Sequence, residues 1–153
     1  MTLIFCLGNK DQIVQLSDRR LISNGSLVED ESNKAGVFSC ENARLAFGYT
    51  GLAKHGRFQT MPWILKNLAS LGPPDFQAGS ILERLRDKAT KDFNYLKDLV
   101  KLKPQYKRLS VVFSGYLYNH SPPLAGYAIL TNYQDCVEER DASEAWNSFK
   151  LTF

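Results

Sequence analysis

The apolar period of this sequence changes twice, and that change limits the fold more than any single motif does. Up to Tyr49 the apolar residues come in short runs separated by turn formers. From Thr60 to Leu102 they recur at three- and four-residue steps, and from Leu109 onward strand-like runs return. Alternation marks a half-buried strand, whereas the longer step marks one face of a helix. The order is therefore strands, two helices, strands. Such segregation predicts an α+β fold with antiparallel sheets, not an alternating α/β fold.

Residues 3–7 and 12–16 flank Gly8-Asn9-Lys10-Asp11 and are expected to form a β-hairpin. Pairing Leu7 with Gln12 sets Ser17 opposite Thr2 and brings Asp18 beside the beginning of the chain. Residues 23–33, rich in Ser, Asn, Gly and acids, read as an exposed connection with a short strand near Leu27 and Val28. A second hairpin has arms 34–39 and 44–49. Pairing Ser39 with Arg44 sets Lys34 opposite Tyr49 and Ala35 opposite Gly48, which makes Lys34 and Gly48 neighbours.

Thr60 is expected to cap a helix with Pro62 in its first turn, an apolar face of Ile64, Leu65, Leu68 and Leu71, and a stop at Gly72-Pro73-Pro74. A second helix is expected from about 80 to 102, with Ser80 and Glu83 as a capping box and a lysine-rich end facing the negative pole of the helix dipole. Strands are expected over 109–116, 124–132 and 146–153, the first two joined through Ser121-Pro122-Pro123.

Composition removes several function classes. With 153 residues and 44% hydrophobic content, the chain can bury one sizeable core, so residues 1–153 are expected to form a single domain. A net charge of +3 with interspersed signs lacks the single-sign field of a dedicated nucleic-acid or membrane-surface binder. Cys6, Cys40 and Cys136 are odd in number and widely spaced, which argues against a disulfide framework or thiolate zinc site and for a reducing, cytoplasmic setting. The opening apolar run is too short for a membrane span and lacks a basic region before it, so the N-terminus is expected to be structural and retained apart from Met1.

Removal of Met1 would make Thr2 the N-terminal residue, with a hydroxyl and a free amine on one residue able to serve as nucleophile and base. From Thr2, the residues Asp18, Lys34 and Gly48 follow at offsets of 16, 32 and 46. This spacing resembles the catalytic β-subunits of the proteasome and their bacterial proteasome-like peptidase relatives. Ser17-Asp18-Arg19-Arg20 is similar to the family's Asp motif with its Arg two residues on. Asn33-Lys34 resembles its lysine at the start of a strand. Ala46-Phe47-Gly48-Tyr49-Thr50-Gly51 resembles its small-residue turn into the first helix, with Tyr49 where small residues are usual.

The resemblance implies an αββα four-layer sandwich of the N-terminal nucleophile hydrolase type. The family's later Gly-Ser-Gly-like turn, its two last helices and its supporting Asp and Ser have no counterpart here, so the expectation is either a truncated member or a short one whose last layer is missing or supplied by a neighbouring subunit. It further implies a threonine-type hydrolase of peptide or amide bonds acting without cofactor or metal, assembled as a homo-oligomeric ring. Thr2 would be the nucleophile, its α-amine the base, and the Lys34 cation would lower that amine's pKa. Asp18 would hold Lys34, the Gly48 amide would face the oxyanion, and Arg20 would structure the loop. A proteasome-like assembly or interaction protein without catalysis is the alternative.

Other candidates are weaker. His55 and His120 lack ligand-spaced partners, so they read as loop residues and not metal ligands. Ser114 lacks a nucleophile-elbow context. Cys6 reads as a core strand residue. Tyr95 and Tyr106 accompany a basic run, but Asp92 and Asp98 interrupt it, which favours a solvated helix face over a nucleic-acid surface.

Overall fold

In the computed structural model, which describes residues 3–19, 32–71 and 77–153 together with the backbone of 21–23 and 26–29, the first hairpin consists of β1 (Ile4–Gly8) and β2 (Ile13–Ser17). Leu7 pairs with Val14 and not with Gln12, and Gly8 pairs with Ile13, a register two residues away from the expected one. The turn is the cause. The Asn9 side-chain oxygen accepts the amides of Asp11 and Gln12 at 2.8 and 2.9 Å, and the Asn9 amide donates to the Gln12 carbonyl at 2.9 Å. This Asx-type turn takes Gln12 out of the ladder and leaves Gly8 inside it. A two-residue shift preserves which side chains share a face. The Asp18 amide donates to the Leu3 carbonyl at 3.1 Å, so Asp18 still lies beside the start of the chain.

A short pair, β3 (Leu21–Ser23) with β4 (Ser26–Glu29), follows. The second hairpin, β5 (Ala35–Cys40) with β6 (Ala43–Gly51), has the expected register, with Ser39 opposite Arg44 and Ala35 opposite Gly48. Residues 46–51 are strand throughout and do not turn into a helix. β6 ends at Gly51, whose φ of +98° and whose missing Cβ, which would lie 2.1 Å from the Arg108 carbonyl oxygen, both require glycine. A small hairpin, β7 (Lys54–His55) with β8 (Phe58–Gln59), then leads to the first helix.

Helix α1 (Thr60–Ser70) starts where expected, but Gln59 occupies the capping position. Thr60 is fully buried instead. Its hydroxyl donates to the Leu52 carbonyl and its amide to the Ala53 carbonyl, which fixes the helix start against the preceding loop. Trp63, Ile64, Asn67 and Leu68 are buried, while Leu65 is exposed. The proposed stop at residues 72–74 lies outside the described residues.

Helix α2 (Ala78–Tyr95) begins before Ser80 with no side-chain cap, so the capping box is not formed. The expected single helix to 102 breaks at Leu96, which is extended, and α3 (Lys97–Val100) restarts beyond it. The break places Leu99 fully in the core and lets the Asp98 carboxylate accept the Arg57 amide at 3.1 Å. A 3₁₀ turn at Pro104–Tyr106 follows.

The last strands are β9 (Leu109–Leu117), β10 (Leu124–Thr131), β11 (Gln134–Asp135), β12 (Arg140–Asp141) and β13 (Lys150–Thr152). Only 150–152 of the expected 146–153 strand joins a ladder, although its alternation holds, with Phe149 buried and Leu151 against the core. Five antiparallel strands form one sheet in the order β13-β10-β9-β6-β5. The protein is thus a mixed α/β structure built on an antiparallel sheet.

Alternation divides that sheet into two faces. Leu45, Phe47 and Tyr49 of β6, with Val111 and Phe113 of β9, share one core with Ile64 of α1 and Leu82, Leu85 and Ala89 of α2. The Phe93 ring closes this core at the end of α2, with ring centroids 5.5, 6.1 and 4.9 Å from Phe58, Trp63 and Phe149. Beside it, buried Asp92 accepts the Trp63 indole N–H at 2.9 Å and the Lys88 ammonium at 2.7 Å. The other face, with Gly48 of β6 and Ser114 of β9, carries the β1–β2 ribbon.

At the far edge, the Lys150 ammonium meets the Asp135 carboxylate at 2.7 Å, and the amides of Glu138 and Val137 donate to its other oxygen. Lys150, then these amides, hold the Asp135 carboxyl at about 2 against opposing burial. A depressed carboxyl pKa stabilises the fold above the ordinary range near ~4, and that contribution is lost as pH falls toward about 2. Between pH 5 and pH 2.5 the urea midpoint of the wild type is expected to fall further than that of Asp135→Asn. Equal falls would refute the link.

Candidate functional site

Of the residues singled out in the sequence, Thr2 and Arg20 lie outside the described residues. Asp18, Lys34 and Gly48 are described, and the two hairpins bring them together. Lys34 ends the loop before β5, and its carbonyl accepts the Tyr49 amide at 3.1 Å. Its side chain is only 2% exposed. Burial strips the ammonium of hydration and lowers its pKa, while the Asp18 carboxylate opposes that shift by attraction. Asp18 itself lies beside the start of the chain, where its amide donates to the Leu3 carbonyl.

Gly48 is buried in the middle of β6. A Cβ there would lie 2.7 Å from the Gln15 Nε2, 3.5 Å from the Lys34 carbonyl oxygen and 3.7 Å from the Ile4 Cδ1. The absent side chain is therefore the seat on which the first hairpin rests. The Tyr49 amide turns toward β5, and hydrogen bonds alternate along an antiparallel strand. The Gly48 amide is accordingly directed toward β9, where Val112 pairs with it.

Gln15 was not among the sequence candidates. It belongs to the inward row of β2, where Ile13, Gln15 and Ser17 are each partly buried between exposed Val14 and Leu16. A polar residue inside that row is the signal that was available. Its Oε1 accepts the Ser114 hydroxyl at 2.7 Å, and its Nε2 is enclosed with no hydrogen-bond partner among the described residues. Ser114 is thereby a 1%-exposed support for Gln15. The Tyr116 hydroxyl donates to the Asn9 carbonyl at 2.9 Å and ties down the turn end of the same ribbon.

Cys6, expected in the core, is exposed because a two-stranded ribbon is too narrow to enclose it. His55 and His120 are exposed, and no group of three or more His, Cys, Asp or Glu among the described residues could hold a metal. Asp92 and Asp98, which interrupt the basic run in sequence, are both engaged internally by Trp63, Lys88 and Arg57. No helix among the described residues is long and apolar enough to cross a membrane. The chain matches no protein-family model, no curated protein and no solved structure at a significant level.

Proposed function

We propose that the chain is a hydrolase of the N-terminal nucleophile class, on a scaffold of αββα type. More particularly, we read it as a proteasome-like threonine peptidase that cleaves peptide or amide bonds through Thr2. The observation that carries this reading is buried Lys34, in the field of Asp18 and with its carbonyl beside Gly48, under the hairpin that begins the chain. Ile4 of that hairpin approaches Gly48, and Thr2 belongs to the same alternating row in sequence.

In this reading the Thr2 hydroxyl oxygen adds to the scissile carbonyl while its proton passes to the α-amine. The C–N bond then breaks, the leaving nitrogen takes that proton, and an ester on Thr2 remains for water to hydrolyse. An α-amine has a reference pKa near ~8, and a neighbouring ammonium lowers it toward neutrality, where a general base works best. Asp18 and Lys34 supply that field, with Arg20 shaping the loop. The reaction needs no cofactor or metal, the setting is cytoplasmic, and the chain works as a homo-oligomeric ring.

Intact-mass measurement with a peptide β-lactone tests the nucleophile. The wild type is expected to lack Met1 and gain one probe mass, and Thr2→Ala to gain none. Retained Met1, or labelling that survives Thr2→Ala, sinks the reading.

A second reading, a non-catalytic proteasome-like assembly protein, has its own support. The outward row of the first hairpin is wholly apolar and exposed: Leu3 71%, Phe5 47%, Leu7 60%, Val14 49% and Leu16 60%. An apolar stripe of this kind marks an interaction surface. Light scattering paired with a peptidase assay separates the two: a stable assembly without Thr2-dependent turnover favours the second.

A further inference from the structure

We propose that the outward face of the first hairpin is the seat of a second copy of this chain, the two β1–β2 ribbons packing face to face across a two-fold axis. The inference names the occupant that the assembly reading leaves open, and it holds whether or not Thr2 is a nucleophile.

The polarity of this ribbon is inverted. When one face of an antiparallel sheet is packed, the face left to solvent is normally polar. Here the inner row rests on the large sheet through Ile4 and Gln15, against Gly48 and Ser114, and the polar residues Gln15 and Ser17 belong to that inner row. The outer row is Leu3, Phe5, Leu7, Val14 and Leu16, with Phe5 opposite Leu16 and Leu7 opposite Val14. A two-stranded ribbon is marginal by itself. Cover for the outer row has to come from elsewhere.

Area and charge identify the occupant. From their exposures, the side chains of the outer row present on the order of 500 Å² per copy, at the upper end of what a monomer leaves bare in one patch. Two such faces together bury on the order of 1,000 Å², the size at which specific interfaces begin. None of the row is charged, and its margins are balanced, with Lys10 and Asp11 at the turn and Asp18 and Arg19 at the open end. A strongly acidic or basic partner finds no field to meet, whereas interfaces between identical chains are the more apolar ones and are depleted in charge at their centre. A two-fold axis lying across the strands sets the turn of one copy over the open end of the other, where each side brings one cation and one anion. The strands then cross at the shallow angle of stacked sheets, and the two outer rows interdigitate. The Phe5 and Leu16 pair, in the middle of the row, lies nearest the axis and meets its own counterpart. Such a contact closes on itself, so it doubles whatever assembly the other surfaces of the chain make.

Sedimentation and native mass spectrometry of paired charge variants test this. Leu16→Glu and Leu16→Lys each set like charges against each other at the axis. Each is expected to run at half the mass of the wild type and to remain folded by circular dichroism, because Leu16 is exposed. Mixed in equal amounts, the two are expected to restore the wild-type mass in assemblies that pair one chain of each kind, since only a face that meets itself sets Glu against Lys. Val37→Glu, which puts the same charge on an exposed apolar residue of β5, is expected to leave the mass unchanged. Phe5→Glu and Phe5→Lys, from the same cross-strand pair, serve if the Leu16 variants do not fold. A wild-type assembly indifferent to the variants overturns the proposal and leaves the assembly reading in place. So does an assembly lost in each variant and not regained on mixing, which would mean that the row meets a different surface. A monomeric wild type overturns both.

Discussion

Gly115→Ala is expected to destabilise the protein by about 3 kcal/mol, the upper end of ordinary overpacking. Gly115 lies on β9 opposite Leu45, and a Cβ there would fall 1.9 Å from the Arg44 carbonyl oxygen and 2.8 Å from the Leu45 Cα. Both clashes are with backbone, so no flexible tip can swing aside. Strands β6 and β9 are interior to the sheet, each paired on both edges, and separating them disturbs two ladders at once. Gly126, paired with Gly115 from the other side on β10, is the internal control. A Cβ on Gly126 meets nothing within 4 Å, so Gly126→Ala is expected to shift stability by no more than about 0.5 kcal/mol. Urea midpoints of the two variants decide it. Equal effects would mean that β9 relaxes away from β6 more easily than its central place allows.

How much of this was legible in the sequence depends on where the determining contact lies. The second hairpin was readable to the residue because its two strand-like runs leave only residues 40–43 between them, with the turn, Glu41 and Asn42, at the centre of that gap, and the adjacency of Lys34 and Gly48 followed. The first hairpin was read two residues out because the Asn9 side chain captures two amides, which turn composition alone does not reveal. The break after Tyr95 was invisible because Leu96 and Val100 continue the helical apolar period, yet both are exposed, and the residue the break serves is Leu99. Gln15 escaped notice for a different reason. Its meaning comes from Ser114, 99 residues away, and from a glycine on a third strand. Counting within hairpins yields neighbours inside each hairpin. The stacking of one hairpin on the other depends on packing between distant segments.

Gly48→Ala is expected to show whether that glycine is the seat on which the first hairpin rests. The added methyl would sit 2.7 Å from the Gln15 Nε2, whereas its distances to the Lys34 carbonyl oxygen and the Ile4 Cδ1, 3.5 and 3.7 Å, are ordinary contacts. Only the end of the glutamine side chain has to move. The cost in stability is therefore expected to be modest, about 1 kcal/mol. In a Gln15→Ala background the methyl has room, so the same substitution is expected to cost nothing further in stability. The double-mutant cycle should then give a coupling of about 1 kcal/mol in stability. Urea midpoints of the wild type, the two single variants and the double variant decide it: additive losses would mean that the first hairpin does not rest on Gly48.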